Sequence, residues 1–262
     1  MTIDIIPIPA FNDNYLWLGV DETQRRAFVV DPGDAAPVLD YLKDHSLQLG
    51  AILLTHHHPD HIGGVDQLVQ TYHCPVYGPG TARFAQVTDP LAEGDTVNVL
   101  GAELRVVETP GHTIDHISYF GSCAAIGTHP ALFCGDTLFA GGCGRLFEGS
   151  PAQMLDSLKK LAVLPGDTRV FCAHEYTLTN LDFALAVEPE NTDLQARQSK
   201  CIEMRRQGLP TIPSSINDEI ATNPFMRAGH PKVRQAALSR SGGDLKDEAT
   251  VFAAIRQWKD NF

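Results

Sequence analysis

Four side chains of metal-ligand type lie close together in the segment His56-His57-His58-Pro59-Asp60-His61. The segment follows an apolar run that predicts a strand, and side chains two apart in such a segment point the same way, so His56 and His58 should face one side. Asp60 and His61 are expected in the turn before the next helix, facing back toward them. Imidazole and carboxylate ligands suit zinc, iron or manganese, and the absence of cysteine from the cluster argues against a closed structural thiolate site. The segment therefore predicts a metal site open to chemistry.

Further candidate ligands follow other predicted strands. His112, Asp136 and His174 each come directly after a short apolar run, which is where layered α/β proteins place their sites. A single histidine in this setting is more often a hydrogen-bonded core residue, but the recurrence of the pattern argues against that interpretation for the whole set. His57 is expected to point away from its neighbours, and His116 is a candidate for orienting a ligand.

The elements that must position these residues change in type along the chain. Short β-branched runs predict strands at residues 3–8, 15–20, 27–30, 51–54, 97–100, 104–107, 117–120 and 169–172. Helical periodicity predicts helices at residues 35–45, 64–72, 151–161, 178–187, 193–207, 231–238 and 248–260. Sheets faced by helices are therefore expected first, followed by a helical region. The change of pattern predicts two domains, residues 1–174 and 175–262.

Composition restricts the class of protein further. The chain has 262 residues, 43% of them hydrophobic, and a net charge of −12, which indicates a globular protein and disfavours nucleic-acid and anionic-membrane partners. No apolar run approaches the roughly 18 residues of a membrane span, and the first residues lack the features of a signal peptide, so a cytoplasmic location is expected. Without a Cys-x-x-Cys pair, the cysteines are interpreted as reduced core thiols: Cys74, Cys123, Cys134, Cys143, Cys172 and Cys201.

The joint pattern of candidate ligands resembles the metallo-β-lactamase superfamily. That resemblance implies an α/β fold, a four-layer αββα sandwich. A closer resemblance is to the glyoxalase II family, the hydroxyacylglutathione hydrolases, and it is carried by Asn12-Asp13-Asn14-Tyr15, Val30-Asp31-Pro32-Gly33, Cys134-Gly135-Asp136-Thr137-Leu138-Phe139, Gly142-Cys143-Gly144-Arg145 and Ala173-His174-Glu175-Tyr176. The helical tail resembles the small C-terminal substrate-binding domain of this family.

The resemblance implies two divalent metal ions per chain, zinc before iron or manganese. It assigns His56, His58 and His112 to one ion, Asp60, His61 and His174 to the other, and Asp136 to both as a bridge. The catalytic carboxylates would be Asp60 and Asp136, with Asp60 also orienting the hydroxide. A hydroxide bridging the metals would attack the thioester of an S-(2-hydroxyacyl)glutathione such as S-lactoylglutathione, releasing D-lactate and glutathione in methylglyoxal detoxification.

The anionic substrate requires cations despite the acidic composition. Arg145, Arg256 and Lys259 could supply them, and Tyr176 could donate its hydroxyl to the substrate. For Arg256 and Lys259 the alternative is a solvated helix face, and for Tyr176 a packed aromatic residue. Two residues, Asp115 and Phe147, differ from those that the family often has at these positions. The change at Asp115 is interpreted as a surface change, and the change at Phe147 affects one expected contact with glutathione.

Two other functions remain open. One is a different superfamily activity, namely a lactonase, a β-lactamase, a nuclease or a one-iron persulfide dioxygenase. The acidic charge disfavours the nuclease, and a full second ligand set disfavours the one-iron enzyme. The other is a non-enzymatic module in which the metal only stabilises the fold. The expected partner is a small glutathione thioester, with no nucleic acid and no membrane, and the chain is expected to be a monomer.

Overall fold

The structure is a computed structural model that describes residues 3–80, 85–122 and 126–262. Its strands are β1 Asp4–Ala10, β2 Asn14–Asp21, β3 Arg26–Val30, β4 Gln48–Leu53, β5 Val76–Pro79, β6 Asp89–Leu91, β7 Thr96–Val99, β8 Ala102–Glu108, β9 Ile117–Gly121, β10 Ala131–Gly135, β11 Leu138–Phe139, β12 Gly142–Cys143, β13 Arg169–Cys172 and β14 Ser214–Ser215. Its helices are α1 Ala35–Asp44, α2 Pro59–Ile62, α3 Val65–Tyr72, α4 Pro151–Ala162, α5 Thr177–Val187, α6 Thr192–Arg206, α7 Ile216–Thr222, α8 Pro231–Ser241 and α9 Glu248–Asp260.

The chain divides into two compact units. Unit 1 comprises Met1–Glu108 and Asp115–Gly135, and unit 2 comprises Thr109–Ile114 and Asp136–Phe262. None of the helices in the described part of the chain is long and apolar enough to cross a membrane.

The first sheet of unit 1 has its strands in chain order, β1 to β6. Strands β1, β2 and β3 are antiparallel, and β3, β4, β5 and β6 are parallel. Helices α1 and α3 contact this sheet, and their apolar residues Val38, Leu42 and Leu68 are fully buried there. The parallel strands β3 and β4 end side by side, with Val30 opposite Leu53, so the segments after them begin at the same sheet edge.

Strands β7 to β10 of unit 1 are antiparallel neighbours in chain order. Their inner face packs on the first sheet, where the rings of Phe28 and Phe133 meet edge to face with centroids 6.1 Å apart. The hydroxyl of Tyr119 donates to the carbonyl of Leu54 over 2.8 Å. The core of unit 1 therefore lies between two sheets, and strand β9 is tied to the end of β4.

Unit 2 is mainly helical. Helix α4 begins with a capping box formed by Ser150 and Gln153 and contacts α9. The rings of Phe183, Phe225 and Phe252 pack against one another with centroids 5.4 and 6.0 Å apart, and all three are fully buried. Aromatic contacts between helices thus form the centre of the C-terminal region.

The predicted strands and helices are confirmed, most of them within two residues at each end. Short elements were missed: the strands β5, β6, β10, β11, β12 and β14 and the helices α2 and α7. Their length of two to seven residues explains this, because a hydrophobic period cannot be recognised over so few positions. Asp60 and His61 were placed in a turn, and this is wrong, since both lie in α2.

Candidate metal centre

The histidine-rich segment of unit 1 lies between strand β4 and helix α2. The strand ends at Leu53, the next five residues are irregular, and the helix starts at Pro59 with His58 as its N-cap. Proline suits the first helical position because its missing N–H would have no helical partner there. The helix turns Asp60 and His61 back toward the segment, and the ring centroids of His56 and His61 are 4.0 Å apart.

A chain of hydrogen bonds fixes the protonation of His56. The hydroxyl of Thr55 donates to Oδ2 of Asp31 over 2.7 Å, so it can only accept from Nδ1 of His56, which lies 3.0 Å away. The hydrogen of His56 is therefore on Nδ1, and the lone pair is on Nε2. That Nε2 atom lies 3.0 Å from Nδ1 of His58. Two imidazole nitrogens thus converge on one point, as ligands of a metal ion do.

The other two donors of unit 1 also lie together. Oδ2 of Asp60 is 3.5 Å from Nε2 of His61, and it accepts a hydrogen bond from the side-chain amide of Asn14 over 3.1 Å. Nδ1 of His61 lies 3.0 Å from Oδ2 of Asp31. Asp60 is partly exposed, whereas His61 is fully buried. Unit 1 therefore brings together all four predicted ligands that it contains.

Asp31 is a functional residue that the sequence analysis did not identify. It has a left-handed backbone with φ of 50°. Its carboxylate contacts His61 and accepts hydrogen bonds from both the backbone N–H and the hydroxyl of Thr55. The adjacent Gly33 is required because a Cβ there would lie 1.8 Å from the carbonyl oxygen of Asp60. A carboxylate directly after a buried strand was the signal that could have revealed Asp31.

Unit 2 gathers the remaining three predicted ligands around Asp136. Its Oδ2 lies 3.4 Å from Nε2 of His112, and its Oδ1 lies 3.4 Å from Nε2 of His174. Nδ1 of His112 donates to the carbonyl of Arg145 over 2.8 Å, so the lone pair of the ring is on Nε2. All three ligand candidates are buried. Each oxygen of one carboxylate thus faces a different histidine.

Aromatic residues surround His174. The ring of Tyr176 stacks on the imidazole with centroids 4.7 Å apart and planes 3° from parallel, and Phe139 meets both rings edge-on. Tyr176 remains 37% exposed, so it is partly accessible as well as packed. Phe147 is 64% exposed and lies edge-on to His112, with ring centroids 5.3 Å apart.

The predicted cations lie in different environments within unit 2. The side chain of Arg145 is 68% exposed and 3.9 Å from Asp260. Arg256 is buried: it pairs with Asp260 at 2.8 Å and donates to the carbonyl of Cys143. Lys259 donates to a backbone carbonyl, and its pKa is lowered to about 8 by burial and then by the charge of Arg256. The alternative of a solvated helix face is therefore wrong for Arg256, whereas its contact with substrate stays a prediction.

Asp115 was interpreted as a surface change, and this is wrong. The residue is 6% exposed, and its carboxylate oxygens lie 2.9 and 3.0 Å from Nδ1 of His57. Asp115 is buried because it has this partner, since an unpaired buried carboxylate is strongly disfavoured.

The cysteines among the described residues are buried thiols outside any disulfide, as predicted: Cys74, Cys134, Cys143, Cys172 and Cys201. Burial raises the pKa of Cys143 to about 11 and that of Cys172 to about 12. Cys123 lies outside the described residues. Buried thiols with raised pKa values are poor nucleophiles at neutral pH.

The donor set fits divalent metal ions of the zinc, iron and manganese type. It consists of imidazole nitrogens and carboxylate oxygens, without thiolate. The hydrogen bonds at Nδ1 of His56 and His112 hold both rings in the tautomer that a metal requires at Nε2.

Comparison with known proteins agrees with this site. Residues 14–174 match the family model of the metallo-β-lactamase superfamily. The structure of ETHE1 from Myxococcus xanthus superposes with a TM-score of 0.65, covers 99% of this chain and 98% of its own, and is 24% identical. The structure of BLEG-1 B3 metallo-β-lactamase superposes with a TM-score of 0.62, covers 86% of this chain and 99% of its own, and is 25% identical. The fold and the donor set define a metallo-β-lactamase-fold protein, which confirms the predicted α/β fold class.

The C-terminal helices and the relatives that match over their full length identify the family within this superfamily. Residues 175–262 match the model of the hydroxyacylglutathione hydrolase C-terminus. Hydroxyacylglutathione hydrolases of Hahella chejuensis and Nitrosomonas europaea are 54% and 50% identical, covering 99% of this chain in both cases and 99% and 97% of their own lengths. The chain belongs to the hydroxyacylglutathione hydrolase family, also called glyoxalase II.

Proposed function

We propose that this chain hydrolyses S-(2-hydroxyacyl)glutathione thioesters. S-Lactoylglutathione would yield D-lactate and glutathione, in the detoxification of methylglyoxal. Relatives about half identical over essentially their full length carry the name hydroxyacylglutathione hydrolase. Residues 175–262 match the model of the C-terminus of that family, and residues 14–174 match the model of the metallo-β-lactamase superfamily. The chain retains every ligand-type residue that the resemblance requires.

We propose that His56, His58 and His112 hold one ion, that Asp60, His61 and His174 hold the other, and that Asp136 bridges both. The observation that carries this assignment is the geometry of Asp136, whose two oxygens face His112 and His174 separately at 3.4 Å each. A carboxylate that lies near a histidine of each proposed ligand set would be placed to contact both ions.

When bound, two divalent ions supply an attacking water of lowered pKa and stabilise charge on the substrate oxygen. Asp60 orients that water, and the amide of Asn14 holds Asp60 in place. The water would lose a proton as its oxygen bonds to the acyl carbon; the carbon–sulfur bond would then break, releasing the 2-hydroxy acid and glutathione as a thiolate. Because thiolate is a good leaving group, the step needs no strong general acid and no nucleophilic cysteine.

We propose that Arg145, Tyr176, Arg256 and Lys259 bind the glutathione part of the substrate. Arg145 and Tyr176 are exposed, and Lys259 is half-buried. Asp260 lies near Arg145 and Arg256 at once. Arg256 would therefore act mainly by holding Asp260 and the Cys143 backbone in place.

The finer expectations are also proposals. Residues 1–174 form the catalytic domain and 175–262 the substrate-binding domain, which the matched ranges 14–174 and 175–262 support. Zinc is the expected metal, with iron or manganese as alternatives; a structure 30% identical over 64% of this chain, with a TM-score of 0.52, is that of TTHA1623 in a di-iron-bound form. A cytoplasmic location is expected, since buried cysteines outside any disulfide suit a reducing compartment, and the chain is expected to be a monomer.

The deciding experiment compares substrates on one metal-analysed sample. S-Lactoylglutathione should be hydrolysed far faster than a lactone, a β-lactam or a phosphodiester, with close to two ions per chain. Asp136→Ala should lose metal at both sites and abolish turnover. Preference for another substrate would exclude the glutathione assignment, and a metal-loaded but inactive protein would indicate a structural role.

A further inference from the structure

Residues 115–119 run alongside the irregular segment 54–58, here called the ligand loop, in the opposite direction. The hydroxyl of Tyr119 donates to the carbonyl of Leu54 over 2.8 Å. Two residues earlier, the N–H of Ile117 donates to the carbonyl of Thr55 over 2.9 Å. The start of the ligand loop is therefore fixed by strand β9.

The next two contacts are made by side chains. The ring of His116 stacks on that of His56, with centroids 4.8 Å apart and planes 21° apart. The carboxylate of Asp115 lies against Nδ1 of His57, with oxygens at 2.9 and 3.0 Å. The earlier a residue lies in 115–119, the later the residue of the ligand loop that it contacts. Asp115 contacts His57, the last residue of the loop in this series.

The contact between Asp115 and His57 is enclosed. The side chain of Asp115 is 3% exposed and that of His57 is 19% exposed. A carboxylate only accepts hydrogen bonds, so Nδ1 of His57 carries the hydrogen and donates it. A buried carboxylate keeps such a donor tightly because losing it would leave the charge unpaired. Asp115 therefore fixes the direction of the His57 ring.

We propose that Asp115 is a positioning residue for the metal held by His56 and His58, and that it acts through His57. The three histidines lie after β4 and before α2, so contacts from neighbouring residues set their directions. His57 stands between the two ligands, with its ring centroid 5.2 Å from that of His58. Fixing His57 fixes the peptide units on either side of it, and with them the angle between His56 and His58. The inference rests on the proposed function only in taking His56 and His58 as ligands.

The test measures metal affinity without substrate, by titrating Zn²⁺ against a competing chelator. Asp115→Ala should weaken one of two sites by about 10-fold, the lower end of the cost of losing a direct partner of a metal ligand, because Asp115 acts through His57 rather than on a ligand. In the Co²⁺-loaded protein, the absorption bands of that ion should shift. His57→Asn should restore most of the affinity lost in His57→Ala, because the asparagine amide can still donate to Asp115.

Asp21→Ala is the matched control. Asp21 is another buried carboxylate of unit 1, and it accepts two backbone N–H groups in the turn after β2, away from the ligand loop. Its loss should lower the melting temperature but leave Zn²⁺ affinity and the Co²⁺ spectrum unchanged. If Asp115→Ala behaves like Asp21→Ala, or if His57→Asn binds Zn²⁺ as weakly as His57→Ala, the positioning role is wrong. If Asp115→Ala does not fold, the comparison of His57→Asn with His57→Ala tests the positioning role instead.

Failure of the proposed function would look different. A wild-type protein that binds two ions and hydrolyses S-lactoylglutathione, with unchanged affinity in Asp115→Ala, would refute only the role of Asp115. A wild-type protein without two sites would refute the metal assignment itself. A third Zn²⁺ bound by wild type and lost in Asp115→Ala would mean that His57 and Asp115 are themselves ligands, which also contradicts the proposal.

Discussion

Two of the candidate ligands, His56 and His112, are each held through Nδ1 by an oxygen that accepts their hydrogen. For His56 that oxygen belongs to Thr55, whose own hydrogen is committed to Asp31. Neither ring therefore has to change tautomer when it binds a metal, which lowers the free-energy cost of binding. The residues that hold the ligands thus matter nearly as much as the ligands do.

Lys259 should make binding of the glutathione part depend on pH. Its pKa is lowered from 10.5 to about 8, so it loses its positive charge as the pH rises through 8, and affinity for the glutathione carboxylates should fall. Calorimetric titration with S-methylglutathione, which has no titrating thiol, should show roughly tenfold weaker binding at pH 9 than at pH 7.

Lys259→Arg is the control for this effect, because a guanidinium stays charged throughout this range. The affinity of Lys259→Arg should therefore lack the part of the pH dependence that loss of the Lys259 charge causes in the wild type. Identical pH profiles for wild type, Lys259→Arg and Lys259→Ala would show that Lys259 does not contact the ligand.

The buried thiols should be dispensable for the chemical step. The pKa values of Cys143 and Cys172 are raised to about 11 and 12 by burial, so almost no thiolate is present at pH 7. Ala replacement of Cys134, Cys143 or Cys172 should leave kcat within a few-fold of wild type, whereas loss of a true nucleophile costs several powers of ten. Mass spectrometry during turnover should detect no acyl group on these residues; an acyl-cysteine would contradict the mechanism.

At the scale of elements, short pieces of structure position the site. Helix α7 supports the β11–β12 hairpin that follows Asp136: Glu219 accepts from the N–H of Gly141, and Asn223 donates to the carbonyl of Gly142, each over 2.8 Å. Both side chains are fully buried. The C-terminal helices therefore support the segment that follows the proposed ligand Asp136, in addition to the substrate-binding role proposed for them.

Gly135, at the end of β10, should not tolerate a side chain. It has φ of 45°, and a Cβ would lie 2.3 Å from the Thr55 hydroxyl and 2.8 Å from Nε2 of His116. Gly135→Ala should lower the free energy of unfolding by about 1–2 kcal/mol for the left-handed backbone and by about 1–3 kcal/mol more for the clash. Metal affinity should fall as well, because Thr55 must move away from His56.

Gly127→Ala separates the two contributions, since Gly127 has φ of 60° with nothing within 4 Å of the added Cβ. Gly127→Ala should lower the free energy of unfolding by the cost of the left-handed backbone alone, and its metal affinity should stay unchanged. Urea denaturation and metal analysis of both variants measure this difference; equal losses in the two would mean that the space beside Thr55 is unimportant.

At the scale of the whole molecule, the proposed ligands are divided between the two compact units. His56, His58, Asp60 and His61 belong to unit 1, and His112, Asp136 and His174 belong to unit 2. Ions held by these proposed ligands would add their binding free energy to the stability of the folded chain, because the unfolded chain has no preformed site.

Removing the metal should therefore destabilise the protein. Restoring Zn²⁺ to a free concentration of 100 times its dissociation constant should add about 2.7 kcal/mol per independent site, which calorimetry would detect as a rise of several degrees in Tm. In Asp136→Ala the rise should largely disappear. A chelated protein with the Tm of the metal-replete protein would contradict metal binding by these residues.

The ligand types, their spacing and the family could be inferred from the sequence. His56, His58, Asp60 and His61 are close in the chain, so local geometry alone brings them together. The longer strands and helices could be predicted for a similar reason, because their hydrophobic period extends over enough residues to be recognised. Asp60 and His61 show the limit of this approach, since a helix of four residues leaves no such period.

Only the tertiary structure decided which residues hold those ligands. Asp31 lies 24 positions from Thr55, Asp115 lies 58 positions from His57, and Arg256 lies 113 positions from Cys143. Each of these carboxylates or cations would be a surface charge by its type alone. Folding buries them because it places a hydrogen-bond partner beside each one, and a partner so distant in the chain leaves no local pattern from which it could be predicted.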